Sequence, residues 1–160
     1  MAVGALLALT LFVLHAFRLY GWYHRQLWQH VLLWSLYLAY AWITLGFLLV
    51  FLSAVTAVSP WVAVHAFAYG GIGLITLGMM ARVTLGHTGR NVFAPPVVVS
   101  AAAALLVAGT LVRVVCVMLW PAGYDVWILT ALLIWIAAFA LSLLAYLPML
   151  LQARVDRRYG

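Results

Sequence analysis

His65-Ala-Phe-Ala-Tyr-Gly-Gly-Ile-Gly-Leu-Ile-Thr-Leu-Gly-Met-Met-Ala-Arg-Val-Thr-Leu-Gly-His-Thr-Gly-Arg90 is the stretch on which the reading of this 160-residue chain turns. It holds two of the five histidines, six of the twelve glycines and two of the eight basic residues, in a chain where only 6% of residues are charged. Read as a helix over 61–83, it aligns Ala63, Ala66, Gly70 and Gly73 at three- and four-residue spacing. Such a flat stripe lets another helix approach closely in lipid, where packing replaces the hydrophobic effect between helices. His65, Tyr69, Ile72, Thr76 and Met80 fall on a second stripe, so the helix is expected to have a packing side and a chemical side.

The rest of the chain supplies the solvent for that helix. Hydrophobic residues make up 69% of the sequence, mean hydropathy is +1.20, lysine is absent and Asp125 and Asp156 are the only acids. A soluble domain of this size and composition would expose apolar patches well beyond the usual few hundred Å². The composition therefore points to an integral membrane protein in contact with the lipid bilayer. The net charge of +6 does not indicate nucleic-acid binding, because the arginines flank apolar runs instead of forming a basic stripe. The lone Cys116 excludes an intrachain disulfide and sits within an apolar run, as a packed small side chain would.

Working outward, the apolar runs predict an all-α bundle of about five transmembrane helices in a single domain, over 1–17, 27–52, 61–83, 97–119 and 126–151. The last four exceed the roughly 20 residues that cross the hydrocarbon, and the first is marginal. The first run has no basic residue ahead of it and Arg18 behind it, which favours a retained helix over a cleaved signal peptide. Ser59-Pro60 fits a helix start, and Asp125 is placed to cap the last helix. Arg18, Arg25, Arg82, Arg90, Arg154, Arg157 and Arg158 all fall on one side of this topology, which predicts an external N-terminus and a cytoplasmic C-terminus.

The eighth arginine, Arg113, lies inside the fourth span, where insertion scales charge at least a few kcal/mol. It is seven residues below Trp120, roughly 10 Å from the outer boundary. It is expected to pair with Asp125 or to neutralise an anionic group such as a haem propionate. His65 enters the third span from the same side, so the two should occupy similar depths. Its imidazole is either a haem-iron or copper ligand or a hydrogen-bonded buried histidine, and one histidine on an apolar helix leaves both open.

On the second helix, His30, Trp34, Tyr37, Ala41 and Thr44 share a face that could wall a planar macrocycle or simply pack. His15, His24, His30 and His87 are expected near the cytoplasmic boundary, which permits a metal site without establishing one. His65 and His87, 22 residues apart on one helix, are about 33 Å from each other and cannot share an iron. Met79 and Met80 point about 100° apart, so at most one faces a given ion. Gly86-His87-Thr88-Gly89-Arg90, preceded by Arg82, could wrap an anion with inward-turned amides. No hydrolytic constellation, phosphate loop or intramembrane acid is present, and whether the chain is an enzyme stays open.

The segment ending Ala81-Arg82-Val83-Thr84-Leu85-Gly86-His87-Thr88-Gly89-Arg90 closely resembles the signature of the NnrS family, in which a histidine-led glycine-rich helix runs into Thr-Arg-Ala-Thr-Leu-Gly-His-Thr-Gly-Arg. Leu33-Trp34-Ser35-Leu36-Tyr37-Leu38-Ala39-Tyr40-Ala41-Trp42 resembles the family's preceding helix, and Arg154-Val155-Asp156 its closing motif. The resemblance runs from about Arg18 onward and matches the C-terminal portion of a longer, roughly twelve-span architecture.

What it implies is a multi-pass protein of the bacterial inner (cytoplasmic) membrane, containing haem b and copper and linked to denitrification and to nitric oxide and nitrosative stress. On that reading His65 and His87 are metal ligands, with His30, Tyr37, Arg82, Arg90 and Arg113 around the cofactor and nitric oxide a possible iron ligand. The family helix has histidine where this chain has Tyr37, which would remove one axial ligand. The alternative is a cofactor-free or electron-transfer accessory subunit, docking through its small-residue stripe onto another membrane subunit or a second copy.

Overall fold

A computed structural model describes residues 2–155; Asp156, Arg157 and Arg158 lie outside the described residues, as do the parts of the topology and closing-motif expectations that rest on them. Among the described residues five helices are long and apolar enough to cross a membrane: α1 Ala2–Gly21, α2 Val31–Val55, α3 Pro60–His87, α4 Val97–Leu119 and α5, which follows a turn at Pro121 and occupies Tyr124–Leu151. No strand occurs among them. The expected count of five and the bounds of α4 match, and Pro60 opens α3 as expected.

The other ends move for local reasons. Helix α1 runs four residues past the expected 17, carrying Arg18 over the Trp22 ring at 4.5 Å. Residues Arg25–Gln29 form a separate 3₁₀ turn, so α2 starts at Val31 and not at 27. Helix α3 continues to His87 because its end is a left-handed cap: Gly89 has φ 72°, and the Arg90 amide reaches back 2.9 Å to the Leu85 carbonyl. Asp125 does not cap α5. Gly123 holds the capping position and Asp125 falls in the first turn, while Trp127 Nε1 donates to the Trp120 carbonyl at 3.0 Å and fastens the turn.

Helix α3 is the hub. Of its most apolar stretch 56% is buried within the protein, against 6% for α1, and it packs on α2, α4 and α5, whereas α1 lies along α2. Its small residues make this possible, since Ala63 and Ala66 are 1% and 0% exposed and Gly70, Gly71 and Gly73 are buried. A Cβ on Gly70 would come within 2.5 Å of Trp42, one on Gly71 within 2.7 Å of Ile43, and one on Gly73 within 2.6 Å of Trp135. The notches thus receive bulky side chains from α2 and α5. The stripe expected to dock onto a separate subunit is filled by this chain's own residues.

The second stripe of α3 does not hold together as one face. Tyr69 is buried, but Ile72, Thr76 and Met80 are exposed. The reason is a π-helical segment, Ala66–Gly73, whose wider turn rotates everything beyond it relative to a 3.6-residue helix. Tyr69 uses the rotation to cross to α5, donating 2.7 Å to the Ala131 carbonyl.

The packing predicts an asymmetric response to added side chains. Gly70→Leu should lower the melting temperature sharply, since overpacking costs about 1–3 kcal/mol or more. Gly86→Ala, where a Cβ meets nothing within 4 Å, should leave it within a degree or two, roughly the effect of a surface change. Thermal unfolding of the detergent-solubilised protein reads both.

Candidate functional site: a guanidinium and an imidazole joined between two helices

His65 stands on the second turn of α3 and Arg113 on the last third of α4, and the structure joins them: Arg113 Nη2 lies 2.5 Å from His65 Nε2. The equal depths read from helix rise are therefore borne out as direct contact. Arginine only donates, so Nε2 must present its lone pair, and the ring is neutral with its proton on Nδ1. Asp125, the expected partner of Arg113, is not the group it bonds; its guanidinium carbon also sits 6.0 Å from the Tyr124 ring.

Both residues adjoin irregular helix. The π segment Ala66–Gly73 begins immediately after His65, and a second, Val112–Cys116, contains Arg113. Single π turns recur at functional sites because the extra residue redirects a side chain that a regular helix would send elsewhere. The sequence carries no mark of the second segment beyond the arginine itself, and only the glycines hint at the first.

Two clefts meet at the pair. One, of about 490 Å³, opens toward the α2–α3 and α4–α5 connections and is walled by Val58, Trp61, Val117, Met118 and Tyr124. The other, of about 350 Å³, lies among α3, α4 and α5 beside Tyr69, Leu132 and Trp135. His65 and Arg113 line both, so one polar pair is reached from two apolar directions. Met118 and Tyr124 were not anticipated from the sequence, since nothing in their spacing relates them to His65.

The remaining candidates lie elsewhere. Tyr37 donates to the Leu19 carbonyl at 3.3 Å and packs edge-on against Trp28, in the half of α2 nearest its start, so it does not approach His65. His30 lines a cavity at that same end with Tyr37, His24 and Arg82. His15, expected to end the first helix, lies inside the longer α1, bonded to the Tyr40 hydroxyl and stacked on Phe47. His87 sits in a shallow groove with Met79, Arg82 and Arg154. Among the described residues no group of three or more His, Cys, Asp or Glu side chains could hold a metal, so the four histidines do not converge.

The Gly86–Arg90 loop does not offer its amides to an anion. Thr88 N bonds the Thr84 carbonyl, Gly89 N the Gly86 carbonyl and Arg90 N the Leu85 carbonyl, so these donors terminate the helix. A helix C-terminus carries partial negative charge, which disfavours an anion further. Arg90 itself donates through Nη2 to Gln152 Oε1 at 3.2 Å, and Val155 N bonds the Thr88 carbonyl, tying the end of the described chain to this loop.

These features define a multi-pass helical membrane protein with a cation–imidazole pair toward the end of the bundle opposite its arginine-rich end. The chain matches the family described as "NnrS protein" over residues 1–154 and belongs to that family, which connects it in general terms with the response to nitric oxide. The match reaches back to residue 1, beyond the stretch from Arg18 that the motifs cover. No curated protein and no solved structure matches the chain.

The pair should show strong energetic coupling. His65→Ala leaves a guanidinium without its acceptor and should destabilise the protein, whereas His65→Ala with Arg113→Leu should recover most of the loss. A double-mutant cycle by unfolding in detergent should return a coupling of about 0.5–3 kcal/mol; additive effects would show that the contact contributes nothing.

Proposed function

We propose that the protein is a haem-binding member of the NnrS family acting in the response to nitric oxide and nitrosative stress, with His65 as axial ligand and Arg113 as partner of a propionate. The observation that supports this reading is Arg113, a guanidinium within a membrane span whose hydrogen bond is to a neutral ring and not to an acid. A partly buried cation within a span is favoured by a counter-charge, and an anionic ligand would supply what Asp125 does not. The donor set therefore fits a group that joins a metal to carboxylates.

The two residues act in sequence on the same lone pair. While Arg113 donates to Nε2, that nitrogen is unavailable as a ligand; an anion that draws the guanidinium away releases it, already deprotonated and in the tautomer a metal requires. Trp61, Val117 and Met118 on one side and Leu132 and Trp135 on the other keep the cleft apolar. A ferrous haem held there with one open position would supply a binding site for nitric oxide. Tyr37 is too remote to furnish a second ligand, and copper, the other metal implied by the family, finds no cluster of three ligating side chains among the described residues.

Pyridine haemochrome assay with metal analysis tests the reading. The wild type should carry b-type haem near one per chain, His65→Ala should lose it, and Arg113→Gln should retain it at lower occupancy with a displaced Soret maximum. Wild-type protein without Soret absorbance or stoichiometric iron, purified from cells making haem in excess, would end the proposal.

A further inference from the structure

A second cavity, of about 560 Å³, lies at the other end of the bundle, between the connection leading into α2, the last turns of α3 and the loop that precedes α4. This is the end that carries Arg18, Arg25, Arg82 and Arg90. Leu32, Leu33, Leu36 and Val92 give it an apolar floor, while Arg82 and His30 stand on its rim; among the described residues no acid lines it. Arg82 is exposed and makes no hydrogen bond or ion pair with any described residue, and the His30 ring caps nothing. Trp22 forms part of the wall, and Arg18 stacked on it sets a second cation nearby.

Depth and charge select the occupant. Arg82 lies five residues before the end of α3, roughly 8 Å along the axis, where a long side chain reaches the headgroup layer. Basic pockets between spans at that level bind anionic headgroups, and the apolar floor continues toward the hydrocarbon. We propose that this cavity is a binding site for an anionic phospholipid, its phosphodiester held by Arg82 and His30 and an acyl chain lying along Leu33 and Leu36. The site is separate from the His65 cleft and does not depend on what that cleft holds.

The test uses full-length protein in nanodiscs of equal phosphatidylglycerol and phosphatidylcholine, followed by gentle detergent extraction and native mass spectrometry. The wild type should retain phosphatidylglycerol preferentially, and Arg82→Gln should reduce that preference about fivefold, the worth of one arginine at the membrane surface. Arg25→Gln removes a cation at the same membrane face but outside the cavity and should change it less than twofold. Phe93→Ala removes an 81% exposed wall residue that folding does not need and should also weaken retention. Equal losses in Arg25→Gln and Arg82→Gln would reduce the effect to diffuse surface charge and overturn the site. Displacement of the lipid by glycerol 3-phosphate as readily as by a short-chain phosphatidylglycerol would overturn the lipid assignment in favour of a soluble phosphate.

Discussion

Close approach of helices at the glycines of α3 is the constraint from which the remaining geometry follows. Lipid tails are as apolar as the side chains they replace, so helices here gain little from leaving them and must gain from fit. Trp42 and Trp135 supply that fit by entering from different sides, at Gly70 and Gly73, and Phe67 returns the favour by lying over Gly46 on α2. Because the notches face two neighbours, α3 is held centrally between them. That central position carries His65 beside α4 and within reach of Arg113.

The π-helical segment makes the two requirements compatible. A regular helix presenting Ala63, Ala66, Gly70 and Gly73 inward would also direct Tyr69 and Ile72 together. Widening the turn over Ala66–Gly73 lets Tyr69 cross to the Ala131 carbonyl while Ile72 faces lipid. On α4 the segment Val112–Cys116 plays the matching part for Arg113. An arginine costs about 2.5–3.5 kcal/mol at the centre of a span on insertion scales, and less toward the end where Arg113 stands, while a hydrogen bond to a charged group returns about 1.5–3. The imidazole therefore offsets most of the cost of inserting the cation but leaves its charge uncancelled, which is why the pair reads as a site and not only as a structural bond.

Much of this was legible in the residues, and the physical reason differs from case to case. The five spans follow from hydropathy and length alone. The similar depths of His65 and Arg113 followed from counting rise along two helices that approach the same boundary, because axial depth depends only on sequence distance, whereas their direct contact did not. Angular position is another matter: it accumulates error wherever the helix departs from 3.6 residues per turn, so the second stripe of α3 dissolved below Tyr69. Loop geometry was less legible still. Gly86 to Arg90 looks equally like an anion cradle or a helix end until the destinations of its amides are known, and the face that carries Tyr37 fits a macrocycle wall or plain packing until its hydroxyl is seen to serve the end of α1.

The polar side chains end up divided between two depths with different chemistry. Near the α2–α3 and α4–α5 connections, one cation is bonded to one neutral ring beside an apolar cleft, an arrangement in which any ligand must compete for a lone pair and a proton donor at once. At the arginine-rich end Arg18, Arg25 and Arg82 are exposed and border the 3₁₀ turn and loops, where long cationic side chains can reach water and headgroups. The same residue type thus has opposite consequences at the two levels. Arg82 adds favourable surface charge and is tolerated with or without an occupant, whereas Arg113 is costly in any state that leaves it alone. Any ligand of the folded protein stabilises it by mass action, but one at Arg113 would in addition relieve the cost of a cation held within a span.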